Sequence, residues 1–166
     1  MPGTHSAHAP DAHAPMAHPY RHFLAMIGTS TAVMFGLMYL NTYAAEHVRW
    51  SQTRFWMALY MGAAMALVML WFMRRMYPDK AKNRLLVGGS VALFALSLWL
   101  VRSQATVGDV SWMKAMIPHH SIAILTSSRA HLADPRVRAL ADGIVETQRR
   151  EIAEMNTLID SLDAAD

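Results

Sequence analysis

Three long apolar runs dominate the first two thirds of the chain. They cover His22–Tyr43, Phe55–Met73 and Leu85–Val101, and none of them contains Asp, Glu, Lys or Arg. A helix that crosses a bilayer needs about 20 predominantly apolar residues, with a range of roughly 17 to 25. The runs therefore predict three transmembrane helices, which form a membrane domain over residues 22–103.

Residues 107–164 follow a different pattern, in which apolar residues recur at the spacing of an amphipathic helix. Asp134 and Pro135 interrupt this pattern, and they suit a helix N-cap and the first helical position, respectively. The segment therefore predicts an antiparallel helical hairpin in which His120 lies level with Gln148. Because no segment shows the period of a strand, the predicted fold class is all-α.

One face of each hairpin helix is apolar and carries a few polar side chains. In the first helix this face comprises Met113, Met116, Ile117, His120, Ile124 and His131. In the second it comprises Val137, Leu140, Ile144, Gln148, Glu151, Met155, Leu158 and Leu162. Two such helices cannot bury both faces alone. We expect a homodimer that forms a four-helix bundle, although packing on the membrane domain or docking on another protein would also cover them.

The basic residues predict how the chain is oriented in the membrane. The segment 74–84 holds five basic residues and one acidic residue, and such loops stay in the cytoplasm. The N-terminus is then cytoplasmic, whereas the loop 44–54 and the hairpin are periplasmic. The first run is too long for a signal peptide, so we expect it to remain. Together these features predict a multi-pass protein of the bacterial inner membrane.

Composition narrows the classes of partner. Residues 1–21 are rich in Ala, Pro and His, which predicts a disordered His-rich cytoplasmic tail. The tail is a low-complexity leader or, less favoured, a metal-collecting arm. The basic pI comes from the membrane part, because acidic residues outnumber basic ones from residue 102 onward. We therefore expect no nucleic-acid partner.

Methionine is abundant and cysteine is absent, so any soft metal must be held by Met and His. In the second apolar run Met recurs at every fourth residue from Met57 to Met73. Such a row could pass a soft ion, but packing is the favoured interpretation. Small residues also predict helix contact in the membrane, between one face with Gly28, Ala32 and Gly36 and another with Ala58, Gly62 and Ala66.

Two motifs in the hairpin carry a family resemblance. They read Met116-Ile117-Pro118-His119-His120 and, about one helix later, Gln148-x-x-Glu151-Ile152-x-x-Met155. Over Asp109–Leu162 the chain resembles the domain of unknown function 305 family, which includes CopM-like copper-binding proteins. Thr126 stands where that family often has a further Met. The resemblance implies a copper-binding helical domain, here in a membrane-anchored form.

The side chains of these motifs suit that chemistry, since thioether and imidazole groups bind Cu(I) and, by the same softness, Ag(I). The predicted metal ligands are Met116, His120 and Met155, followed by Met113 and His119. Gln148 and Glu151 are predicted to orient the ligands. The structural alternative is that Gln148 or Glu151 merely hydrogen-bonds His120 and fixes the register of the hairpin.

The favoured function is therefore copper sequestration or transfer in copper homeostasis, without catalysis. One alternative is an accessory subunit that docks on a membrane complex. A ferritin-like metal oxidase is less favoured, because the chain has no Glu-x-x-His pair. A phosphate-binding loop and a nucleophile elbow are absent from the sequence, so a nucleotide-binding or hydrolase role has no support.

Overall fold

The computed structural model describes residues 19–164, and within that range the chain is helical and has no β-strand. The predicted all-α class is therefore confirmed. The five α-helices are α1 (Pro19–Leu37), α2 (Gln52–Phe72), α3 (Lys80–Ser103), α4 (Asp109–Arg129) and α5 (Pro135–Asp163). Two short 3-10 helices, Ala45–His47 and Arg74–Met76, lie in the connections that follow α1 and α2.

Among the described residues, α2 and α3 are long and apolar enough to cross a membrane, with mean hydropathies of 1.8 and 1.9. Only 28% and 11% of their apolar windows are buried inside the protein, so most of these side chains face outward. The helix in the structure differs from the first span that the sequence predicted. α1 ends at Leu37 rather than Tyr43, and its first turn includes Arg21 and His22, which lower its hydropathy. The structure thus gives two candidate spans, with α1 packed beside α2.

The start of α1 also corrects the expected disordered tail. Residues 1–18 of that tail lie outside the described residues, but residues 19–21 form the first turn of the helix. The Tyr20 hydroxyl accepts a hydrogen bond from the Asp79 N–H at 3.1 Å and lies 3.0 Å from Asn83 Oδ1. These contacts tie α1 to the turn between α2 and α3, and Phe23, Leu70 and Tyr77 form a small core beneath them.

The small residues of α1 and α2 do not pack against each other as the sequence predicted. A Cβ atom added to Gly62 would lie 2.3 Å from Thr31 Oγ1, so α1 approaches α2 most closely through Thr31. A Cβ atom on Gly28 or Gly36 would meet nothing within 4 Å. Five of the six small residues, all but Gly36, instead border an apolar groove of about 610 Å³.

The helices α4 and α5 pack against each other as a hairpin. Asp134 caps α5 by accepting a hydrogen bond from the Arg136 N–H, and Pro135 is the first helical residue, as predicted. The hairpin core consists of Met113, Ile117, Ile124, Ile152, Met155 and Ile159. On α5 the buried face is therefore rotated from the predicted one. Five residues of the predicted face stay at least one third exposed: Val137, Leu140, Ile144, Leu158 and Leu162.

Candidate metal centre in the helical hairpin

His120 lies between α4 and α5, and each of its ring nitrogens contacts a hydrogen-bond acceptor. Nδ1 is 3.0 Å from the main-chain carbonyl oxygen of Met116, one helical turn earlier. Nε2 is 2.9 Å from Glu151 Oε2 on the facing helix. Because a carbonyl oxygen can only accept, Nδ1 carries the hydrogen in the first bond. The Glu151 carboxylate is also an acceptor, so the contact at Nε2 is a hydrogen bond only when Nε2 carries a hydrogen as well, and a metal ion could bind Nε2 only in place of that hydrogen.

The sequence pattern placed Gln148 level with His120. In the structure, however, Glu151 is the direct partner of the histidine. The Gln148 side-chain amide instead donates to the same Glu151 Oε2, at 3.4 Å. Side chains on a helix lean toward the N-terminus of that helix. In an antiparallel pair His120 therefore reaches past the level of Gln148 toward Glu151. All three polar groups still form one connected set.

Three methionines lie in or against the core of the same hairpin. Met113 and Met155 are 5% and 6% exposed in the hairpin core, and Met116 packs against that core while half-buried. Met113, Met116 and His120 are spaced three and four residues apart, so they share one face of α4. The structure thus brings four of the five predicted ligands to the seam of the hairpin. Thioethers at two of these positions also supply packing, since Met113 and Met155 are buried among isoleucines.

His119 is the predicted ligand that the structure places elsewhere. Its side chain is exposed, and its ring centroid is 6.2 Å from that of His120. It lines a cavity of about 380 Å³ between α4 and α2, together with Met116, Met38 and Met57. Successive residues on a helix differ by about 100° in direction, so His119 and His120 face different surroundings.

Ser121 is a site neighbour that the sequence did not reveal. Its fully buried hydroxyl accepts a hydrogen bond from the Tyr43 N–H at 2.7 Å and lies 2.8 Å from His47 Nδ1. A further bond, 3.1 Å long, runs from Arg49 to Asn156. These contacts fasten the loop after α1 to the hairpin beside His120. No local pattern signals them, because the partners lie 74 to 107 residues apart in the chain.

Carboxylates contribute little else to this region. Within residues 19–164, no three His, Asp or Glu side chains come together in a group that could hold a metal ion. A di-iron carboxylate centre needs such a group. The donors at the seam of the hairpin are thioethers, the His120 imidazole and the Glu151 carboxylate.

Comparisons with known proteins agree with the motifs. The model of the domain of unknown function (DUF305) matches residues 100–164, which span α4, α5 and the end of α3. An uncharacterized protein of Acanthamoeba polyphaga mimivirus is 30% identical over 139 residues, which cover 82% of this chain and 90% of the viral protein. No solved structure gives a significant match. The two hairpin motifs, the family match and the relative that covers most of this chain show the family. The chain belongs to the domain of unknown function 305 family.

Proposed function

We propose that this protein is a membrane-anchored copper-binding protein whose hairpin holds Cu(I) or Ag(I) for sequestration or transfer. The observation that carries the proposal is the hydrogen bond from His120 Nδ1 to the Met116 carbonyl oxygen. Histidines that bind metals commonly donate their other ring N–H to a carbonyl group, which fixes the ring and its tautomer. Here that bond fixes the ring with Nε2 directed across the hairpin at Glu151, where Cu(I) would take the place of the Nε2 hydrogen.

The donor set favours a soft monovalent ion. Neutral thioethers with one imidazole suit Cu(I), and Met cannot be protonated away at acid pH. Glu151 would compensate the charge of the bound ion, because its carboxylate lies 2.9 Å from Nε2 and would remain next to the ion after giving up that hydrogen bond. Gln148, which donates to that carboxylate, would hold it in place. Both residues would then orient the site and leave the copper–ligand bonds to Met and His.

We further propose that the hairpin lies on the periplasmic side of the bacterial inner membrane, with the N-terminus in the cytoplasm and α1 as a third span. The outward apolar surfaces of α2 and α3 favour a bilayer over a soluble core. The basic segment 74–84 follows α2 at the end opposite the hairpin, which suits a cytoplasmic loop. The loop with Tyr43 and His47 contacts the hairpin, so both belong to one side.

The exposed apolar face of α5 supports a partner, which we propose to be a second copy of the chain. Val137, Ile144 and Leu158 recur at intervals of seven or fourteen residues and are 36% to 46% exposed. This is the spacing of a helix that packs along a partner helix, and two hairpins would form a four-helix bundle. The same face fits the alternative of an accessory subunit docked on a membrane complex. A Leu158→Glu variant that stays dimeric by light scattering in detergent would contradict the homodimer.

The experiment for the copper function is a titration of the purified protein in detergent with Cu(I), under reducing conditions, against a chromophoric chelator. We expect His120→Ala and Met155→Leu each to weaken binding by at least about tenfold. Met155→Leu removes the thioether but conserves volume, so the fold is retained. His131→Ala is the matched control, since this exposed histidine follows the end of α4. Equal binding by the parent, His120→Ala and Met155→Leu would overturn the copper site.

A further inference from the structure

A second group of soft donors lies where the hairpin meets the membrane helices. The cavity of about 380 Å³ at this junction is lined by Met38 after α1, Met57 in α2, and Met116 and His119 in α4. These side chains come from three separate segments of the chain. None of the segments could form the group alone, so the group exists only when the hairpin sits on the membrane helices.

One of the donors around this cavity, the His119 imidazole, is available to bind an ion. Within residues 19–164, His119 has a ring contact with His120 but no hydrogen-bond partner. Its side chain is exposed, so an ion can reach it from solvent. Met38, Met57 and Met116 are each half-buried, so their thioethers are not locked in a closed core. A soft metal ion prefers this combination of thioether and imidazole.

The charge around the cavity disfavours a divalent ion more strongly than a monovalent one. The residues that line it include no Asp or Glu, whereas Arg54 is among them. Arg54 Nη1 donates to the Met38 carbonyl oxygen, and its guanidinium carbon lies 4.6 Å from the centre of the Tyr39 ring. The Coulomb repulsion from this fixed positive charge is twice as large for a divalent as for a monovalent ion. Hard divalent cations also lack the carboxylate ligands that they prefer.

We propose that this junction cavity is a second binding site for a monovalent soft cation, Cu(I) or Ag(I), held by Met38, Met57, Met116 and His119. The proposal rests on the copper function proposed for the hairpin, with which it shares Met116. It adds a place where an ion passes between the hairpin and the outer end of the membrane helices. Met57 is also the first residue of the methionine row along α2.

The test is a Cu(I) titration of the full chain in detergent against a chromophoric chelator, with binding expressed as equivalents per chain. The double variant Met38→Leu/Met57→Leu removes two thioethers while conserving volume. We expect it to lose about one Cu(I) equivalent relative to the parent protein. His119→Gln, a change at an exposed side chain, should give the same loss without a packing effect. Met61→Leu, one turn further along α2 and outside the cavity lining, is the matched control.

The outcomes separate the two sites. Loss of an equivalent in the double variant and in His119→Gln, with Met61→Leu like the parent, supports the junction site. Binding that is unchanged in the double variant and in His119→Gln overturns it, even if His120→Ala still abolishes the hairpin site. Loss in the junction variants but none in His120→Ala leaves the junction site standing and removes the hairpin site. An equal loss in Met61→Leu would also overturn the junction site, because the effect would then follow methionine content.

Discussion

His120 Nε2 lies 2.9 Å from Glu151 Oε2, across the two helices of the hairpin. The histidine side chain is 16% exposed and the glutamate 41%. Because solvent reaches the carboxylate, such a pair stabilises the fold by at most about 1 kcal/mol. Its second effect is to hold the imidazole in one orientation between the two helices.

Replacing Glu151 with Gln should separate these two effects. The variant keeps the shape but removes the charge, so we expect less than about 1 kcal/mol of lost stability. The Glu151 carboxylate lies at Nε2, the nitrogen proposed to bind Cu(I), and would stay next to the bound ion, so removing its negative charge should weaken Cu(I) binding by roughly tenfold. Chemical unfolding and chelator competition measure the two quantities. Glu154→Gln, an exposed position on the same helix, should change neither.

Removing the Ser121 hydroxyl should loosen the loop after α1. In Ser121→Ala the Tyr43 N–H and the His47 ring lose their shared partner inside the protein. A buried polar group left without a partner costs about 1 to 3 kcal/mol. We expect faster hydrogen exchange of the amides in residues 43–48, measured by mass spectrometry in detergent. Ser128→Ala, at an exposed position near the end of α4, is the control. Exchange that stays at the parent rate would show that other contacts hold this loop.

The cap at Asp134 should make the stability of the hairpin depend on acid pH. The Arg136 side chain, followed by its main-chain N–H, holds the pKa of the Asp134 carboxyl below its usual value. A carboxyl whose pKa is lowered by folding stabilises the fold above its unfolded pKa, and that stabilisation is lost as the pH falls through the folded value. Asp134→Asn keeps a capping oxygen without the charge. It should be less stable than the parent at neutral pH, and the difference should shrink below about pH 4.

Denaturant unfolding at neutral and acid pH, followed by circular dichroism, measures this difference. Asp142→Asn, on the exposed surface of the same helix, controls for a general change in charge. A difference between Asp134→Asn and the parent that is the same at both pH values would exclude the charged cap as its cause.

Adding a methyl group at Gly62 should push α1 away from α2. The new Cβ atom would lie 2.3 Å from Thr31 Oγ1, and overpacking of this kind costs about 1 to 3 kcal/mol. We expect a lower thermal unfolding midpoint in detergent. The double variant Thr31→Ala/Gly62→Ala should recover most of the loss, because it removes the clashing hydroxyl. Gly28→Ala, where the added atom meets nothing within 4 Å, should not destabilise the protein. Failure of the double variant to recover would place the cause outside this contact.

The local features of the chain could be predicted from the sequence because they depend on neighbouring residues. The Asp134 cap, the Pro135 start of α5 and the all-α class follow from capping chemistry and helical period. The family followed from two short motifs. The early end of α1 at Leu37 was missed, because an apolar run carries no signal for a helix that ends inside it.

Only the tertiary structure decided which side chains meet across the fold. The apolar residues of α5 form one stripe that is broader than the face α4 covers, so period alone could not show that α4 covers Ile152 and Ile159 while Leu140 and Leu158 stay exposed. The pairing of His120 with Glu151 depends on the lean of side chains in an antiparallel pair. The separation of His119 from His120 depends on where α4 rests against α2. Sequence thus determined the donors and their helices, whereas long-range packing determined which donors share a site.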